Sequence, residues 1–288
     1  MKNLHKTWFD YFLVAMFVII LVITLYPFLN VLAISLNDAT DTLKNINFIF
    51  PRKFTLANYK YVFEEGGILQ PLFLSIAKTV TGTVVGVICT SMLAYTLSRR
   101  DFVFHKFFTL LFVVTMYVGG GMIPEYLLIV RTLHLGNNFL VYIIPGLIWV
   151  YNMILVRSFI DGLPSALQEA AQLDGANDFQ IWYRVVMPLC TPVLATIALY
   201  YAVGQWNSFM DTYLYAKKLP TLQYKLYEIM SQATMQLDTH TTTNATQAVT
   251  PMAIRMAVTV VATVPIIVVY PFVQKYFVGG MTVGSVKD

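Results

Sequence analysis

Two groups of residues in this sequence have side chains suited to chemistry. The first lies inside otherwise apolar stretches: Trp149 and Asn152 in one, and Gln205, Trp206 and Asn207, followed by Asp211, at the far end of another. A sugar needs such partners, because its hydroxyls take hydrogen bonds and its ring faces stack on flat aromatic side chains. The same residues also serve elsewhere as interface anchors (Trp) and as hydrogen-bonding glue between helices (amides), and the sequence leaves both roles open. The second group is a polar interruption, Leu163 to Pro188. Pro164 and Ser165, followed by Gln168, read as a helix start of the capping-box type, with Glu169 near the positive end of the helix dipole. Gly175 should stop that helix, since glycine takes the left-handed conformation without a side-chain clash. Asn177 and Asp178 start a second helix that runs through Phe179, Ile181, Trp182, Val185 and Val186 before Pro188. The pattern predicts helix, turn, helix.

Several chemistries are excluded. There is no G-x-x-x-x-G-K-S/T loop to cradle phosphates, no G-x-S-x-G elbow, and no base paired with a Ser or Asp inside the apolar stretches. His5, His105, His134 and His240 fall in different segments, away from Cys or carboxylates at ligand spacing, so no metal site is expected. Cys89 and Cys190 lie in apolar stretches and read as packing residues. A chain without its own motor or catalytic centre must draw energy from a partner.

The elements that position these residues belong in a bilayer. The 288 residues are 57% hydrophobic and 12% charged, against roughly 25% charged in ordinary globular domains. The net charge of +4 is spread over several loops, with no basic run that would suit a nucleic acid. A bilayer core about 30 Å thick takes about 20 apolar residues per helix. Six segments meet that length: 12–36, 72–98, 107–130, 139–160, 188–210 and 257–276. The fold class expected is an all-α integral membrane protein, one transmembrane domain over 1–288 with the loop 161–187 between spans four and five. The first apolar stretch is too long for a cleaved signal core and reads as a retained span. The segment PRKFTLANYKYVFEEGG suggests a short interfacial helix or a solvated loop. Lys78 reads as a snorkelling residue, and Gly119, Gly120, Gly121 and Pro124 should break the third span. Asn244 heads an N-x-T sequon, which needs a eukaryotic secretory context that the sequence does not support.

Glu169, Ala170, Ala171, Gly175 and Pro188, spaced E-A-A-x3-G-x12-P, resemble the coupling motif of permease subunits of binding-protein-dependent ABC importers. Val185 and Met187 stand where that family usually has Ile and Leu, with apolar bulk kept. Asp174, Gly175 and Ala176, with PLCTPVLATIAL after the second helix, narrow the likeness to carbohydrate importers of the maltose type. It extends through YPFLNVLAISLND, AYTLSRR, GGGMIPEYLLIVRTLHLGNN and YPFVQKYFVGGMTVGSVKD, nearly the whole chain.

The resemblance implies a non-catalytic permease subunit in a bacterial cytoplasmic membrane, with ATP and Mg bound by partner ATPase subunits. Its partners would be a second, different permease, two ATPases and an extracytoplasmic sugar-binding protein, its cargo a sugar or oligosaccharide, and WNSFMDTYLY points toward polysaccharide-derived cargo. Glu169, Ala170, Ala171, Asp174, Gly175 and Pro188 would couple to an ATPase. In related permeases the C-terminal tail reaches toward the ATPase dimer interface. With six spans the termini share a side with this loop. Lys and Arg divide evenly between the two sides, so the resemblance, and not the charge bias, places the loop in the cytoplasm. A non-sugar cargo is the alternative within this class. A secondary transporter would bring paired intramembrane charges or inverted repeats, neither visible in the sequence.

Overall fold

Helices form where the apolar stretches are long, and end where glycine and proline interrupt them. The computed structural model describes residues 8–44, 49–64, 66–238 and 250–283, and among these the regular structure is helical apart from one isolated antiparallel bridge between Asn37 and Phe54. The basic N-terminal start with His5, His240, the sequon at Asn244 and the tail from 284 lie outside the described residues. In chain order the helices are α1 (Trp8–Ser35), α2 (Ala39–Lys44), α3 (Ala57–Glu64), α4 (Leu69–Ser98), α5 (His105–Tyr117) and α6 (Met122–Leu127), which runs into a π-turn at Leu128–Thr132. A 3-10 turn at Phe139–Tyr142 precedes α7 (Val150–Asp161), α8 (Ser165–Leu173) and α9 (Asp178–Ile181). A second π-turn, Trp182–Val186, leads to α10 (Met187–Leu189), α11 (Thr191–Asn207), α12 (Met210–Tyr215), α13 (Leu222–Asp238) and α14 (Pro251–Val283).

Among the described residues, three helices are long and apolar enough to cross a membrane: α1, α4 and the Pro251–Pro271 part of α14. The number rises to five if two bent pairs each count as a span: His105–Tyr117 with Met122–Thr132, bent by 114°, and Asp178–Leu189 with Thr191–Asn207, bent by 86°. The break expected at the glycines is present at residues 118–121, where Gly121 has φ 86°. The stretch 139–160 departs from expectation. Its helix, α7, has 12 residues, about 18 Å at 1.5 Å per residue, short of a bilayer core. Pro145 and Gly146 explain the shortfall: proline donates no backbone hydrogen bond and disfavours helix in the residue before it.

The chain divides into two compact units, 1–69 with 226–265, and 70–225 with 266–288. In the first, α1 leaves its apolar side chains exposed from Trp8 to Phe28, as a helix surrounded by lipid would. Beyond it a polar knot forms. Asn58 donates to the carbonyls of Ser35 and Asn37, both at 2.9 Å, and Asn37 accepts from the Lys53 amide at 2.7 Å. Asp38 caps α2 by accepting from the Thr40 and Asp41 amides at 3.0 Å, and these contacts hold its carboxyl below the usual carboxylate range, the Thr40 hydroxyl contributing most. Of the two readings of PRKFTLANYKYVFEEGG, helix or solvated loop, a helix is present as α3, with Asn58 and Val62 buried.

In the second unit α4, α7 and α11 share a core that includes Ala94, Leu97, Met153, Val156, Ile160 and Ile197. Close approach of α4 to α11 rests on Gly82 and Gly86, a G-x-x-x-G spacing. A Cβ at Gly86 would lie 2.9 Å from the Tyr201 ring, and one at Gly82 2.7 Å from the Gln205 amide nitrogen. One turn on, the Thr90 and Tyr201 hydroxyls are bonded at 2.7 Å. Gly86→Val is expected to push Tyr201 off this bond and cost about 1–3 kcal/mol as overpacking. Gly119→Ala, where a Cβ would meet nothing within 4 Å, should leave thermal unfolding in detergent nearly unchanged. Equal melting temperatures for both variants would contradict this.

Candidate functional site

The polar interruption folds as a hairpin of two helical arms. The first arm is α8, and its start corrects one expectation: Pro164 is the N-cap, and no side chain caps the helix there. Ser165 is already its first residue, so its hydroxyl is not placed to act as a cap. Its end follows expectation closely. Gly175 has φ 81°, its N–H donates to the Gln172 carbonyl and that of Ala176 to the Ala171 carbonyl, both at 3.0 Å, the paired bonds of a Schellman motif. The capping box belongs to the second arm. Asn177 Oδ1 accepts from the Gln180 amide at 2.9 Å, and Gln180 Oε1 accepts from the Asn177 amide at 3.0 Å. This arm passes through the Trp182–Val186 π-turn and Pro188, and bends at Cys190, not at Pro188. Pro192 has no N–H to give to the Pro188 carbonyl, and the Thr191 hydroxyl donates to that carbonyl instead, at 2.7 Å.

The hairpin is rooted in the span core. Ile181, Trp182, Val186 and Cys190 are buried with the α4, α7 and α11 residues, and Ala171 and Ala176 pack against the same cluster. Glu169, Ala170, Asp174, Gly175 and Pro188 face outward, as does Leu173, which is 90% exposed. The arrangement is a stiff, doubly capped element with one side seated on the spans and the other open.

Arg99, just beyond α4, touches both arms. Its Nη2 lies 3.5 Å from Asp178 Oδ1, and the Gln172 amide oxygen, oriented toward the guanidinium, accepts from Nη1 at 3.1 Å and Nη2 at 2.7 Å. Asp101 takes Nε and Nη2 at 2.9 and 2.7 Å. That bidentate bond holds the Asp101 carboxyl below, and the Arg99 guanidinium above, its ordinary pKa.

The residues suited to a sugar separate into two kinds. Gln205 and Trp206 are buried, and Gln205 Nε2 donates to the Tyr142 carbonyl at 3.0 Å, tying α11 to the 3-10 turn at Phe139–Tyr142. Trp149 lies against Tyr201 with ring centroids 5.0 Å apart and covers Gly204, where a Cβ would come within 2.2 Å of its ring. Its backbone amide donates to the Tyr201 hydroxyl at 2.9 Å, and 37% of the residue remains exposed. Asn207 is exposed and accepts from Gln223 at 3.5 Å. Asn152 is fully buried, and neither its amide nitrogen nor its oxygen has a hydrogen-bond partner.

Lys78 does not snorkel. It is fully buried, with Nζ 2.6 Å from Asp211 Oδ2, 3.3 Å from the Ser208 carbonyl and 4.8 Å from the Tyr142 ring centre. Burial without water makes an opposite charge necessary, and Asp211 supplies it. An ion pair of the kind absent from the sequence reading is therefore present.

Residues 82–283 match the family described as binding-protein-dependent transport system inner membrane component. The chain belongs to this family. It is 37% identical, over 100% of both chains, to the polygalacturonan/rhamnogalacturonan transport system permease protein YtcP of Bacillus subtilis (strain 168). It is 29% identical, over 94% of each, to the arabinooligosaccharides transport system permease protein AraQ of Halalkalibacterium halodurans. A chain in the crystal structure of a bacterial ABC transporter involved in the import of the acidic polysaccharide alginate superposes with a TM-score of 0.82 at 28% identity, covering 96% of this chain and 100% of its own. The protein is thus a multi-pass permease subunit of the bacterial cytoplasmic membrane, and ATP is hydrolysed in separate ATPase subunits. Membership of a binding-protein-dependent family implies a partner permease, ATPases and a substrate-binding protein. It also sets the Lys78–Asp211 pair apart from the proton or ion relays of secondary transporters.

Proposed function

We propose that this permease imports a sugar or oligosaccharide released from a polysaccharide, and that the hairpin at 163–188 is its mechanical link to the ATPases. The chain works with a second, different permease, two ATPase subunits and an extracytoplasmic sugar-binding protein. Six spans, formed by the whole chain as one permease domain in which residues 139–160 cross as the 3-10 turn and α7 together, bring the hairpin to the cytoplasmic face. There Ala170 allows close approach, Ala171 holds the helix against the spans, Glu169 offers a carboxylate for ionic contact, Asp174 and Gly175 set the turn, and Pro188 lies on the return arm. The observation that carries this reading is the build of α8: open on the side of Glu169 and Leu173, seated through Ala171 on the core of α4, α7 and α11. A rigid helix so placed transmits a displacement that a loose loop would absorb. Closure of the ATPases on ATP then moves α8 and turns the cavity from inward- to outward-facing.

Trp149 and Asn207 meet the passing sugar, with Asn152, Gln205 and Trp206, all buried, supporting them. The polymer-linked cargoes named for two of the relatives support the choice of a polysaccharide-derived ligand. Glu169→Lys in the reconstituted transporter is expected to weaken copurification of the ATPases and reduce ATP-driven oligosaccharide uptake at least roughly tenfold, as loss of a central interface contact does. Undiminished uptake with normal ATPase copurification would overturn the coupling role. For the cargo, titration of the partner binding protein with oligosaccharides, amino acids and peptides decides: binding only of the latter two would replace the sugar assignment.

A further inference from the structure

We infer that Arg99 is a positioning residue that locks both arms of the coupling hairpin to the end of α4, so that displacement of the hairpin is delivered to that span. The inference rests on the coupling role proposed for residues 163–188. Arg99 directly follows α4, and its side chain is 15% exposed although charged. Its guanidinium is used on every edge: Nε and Nη2 on Asp101, Nη1 and Nη2 on Gln172 of α8, and Nη2 toward Asp178 in the first turn of α9. The Tyr95 ring, one turn earlier on α4, lies 6.0 Å from the guanidinium carbon. The two arms are thereby tied to one atom group on a third element, and Asp101 fixes the plane in which that group lies.

Magnitudes separate this role from a stabilising one. Asp101 and Asp178 are 66% and 72% exposed, so solvent screens them and as ion pairs they contribute little to stability. A cation at the C-terminal end of α4 also offsets the helix dipole. Lysine would preserve both of these effects. It would not reproduce the planar fork that reaches Asp101, Gln172 and Asp178 together, because an ammonium is a single point of charge. The chemistry that requires arginine is the geometry of the three-way contact.

The test compares Arg99→Lys and Gln172→Leu with the unaltered transporter, each reconstituted with its permease partner, ATPases and binding protein, and reads oligosaccharide uptake per ATP hydrolysed. Both variants are expected to assemble and hydrolyse ATP, with uptake per ATP reduced roughly three- to tenfold, the range of a coupling residue that touches neither ligand. The double variant should fall no further than the worse single one, since both remove the same contact. Uptake per ATP equal to that of the unaltered transporter in both single variants would overturn the inference, as would additive losses in the double. If Glu169→Lys also leaves uptake intact, the coupling role itself has failed; if Glu169→Lys abolishes uptake while Arg99→Lys and Gln172→Leu do not, only the Arg99 assignment falls.

Discussion

Asp211→Ala is expected to destabilise the permease by about 3–5 kcal/mol, because it leaves the Lys78 ammonium buried with no counter-charge. The pair is asymmetric. Lys78 is 0% exposed at its side chain and Asp211 20%, so the two single deletions should differ. Without Asp211, Lys78 keeps only the Ser208 carbonyl and the face of Tyr142, and must either deprotonate or draw water into the packed junction of α4 with the α11–α12 turn. Without Lys78, the carboxylate still accepts from the Thr212 amide at 2.9 Å and has access to solvent. Lys78→Met, which fills much of the same volume, should therefore be the milder change. Pairing Lys78→Met with Asp211→Leu should recover most of what Asp211→Ala loses, since no charge then remains unpaired. Thermal unfolding of the purified protein in detergent measures all three. Asp211→Ala no more destabilised than Lys78→Met would show that the ammonium has another route to water.

That pair also shows where sequence reasoning stopped. Lys78 and Asp211 are 133 positions apart, and a lone lysine near a span end looks the same in sequence whether it snorkels or finds a distant partner. Arg99 is a similar case, since Gln172 and Asp178 come to it only through the packing of α4 against the hairpin. Features whose cause is local were legible. The turn at Gly175, the helix start at Asn177 and the break at Gly119–Gly121 depend on a few neighbouring residues, and length and apolarity were enough for α1, α4 and α14. Over 139–160 apolar length alone predicts one long helix, but Pro145 and Gly146 confine the α-helix to Val150–Asp161. The capping box moved from Ser165 to Asn177 because proline at 164, with its φ of −58°, starts the first helix without a side-chain cap. The G-x-x-x-G spacing of Gly82 and Gly86 was readable and is the signal that would have placed α4 against another helix.

Substitutions at Gly175 should order as Asn, then Ala, then Val in uptake, with Trp revealing whether a partner covers the turn. The residue has φ 81°, yet a Cβ there would meet nothing within 4 Å. The cost of a side chain in the isolated subunit is therefore conformational: about 1–2 kcal/mol for a non-glycine residue in the left-handed region, less for Asn, which visits that region readily, and more for a β-branched residue. A loss of 1–2 kcal/mol opens the turn roughly 5- to 30-fold more often, and each opening breaks the Ala176-to-Ala171 bond that fixes the angle between the arms. Uptake should fall in the same order if that angle transmits force. Trp shares the backbone cost of Ala, and the subunit alone has room for it, so Ala and Trp variants should unfold at similar temperatures when purified without partners. In the assembled transporter Gly175→Trp should lose ATPase copurification and uptake far more than Gly175→Ala, because the extra bulk then meets the docked subunit. Equal uptake in the Ala and Trp variants would mean that nothing approaches the turn, and α8 would not be the surface on which the motor acts.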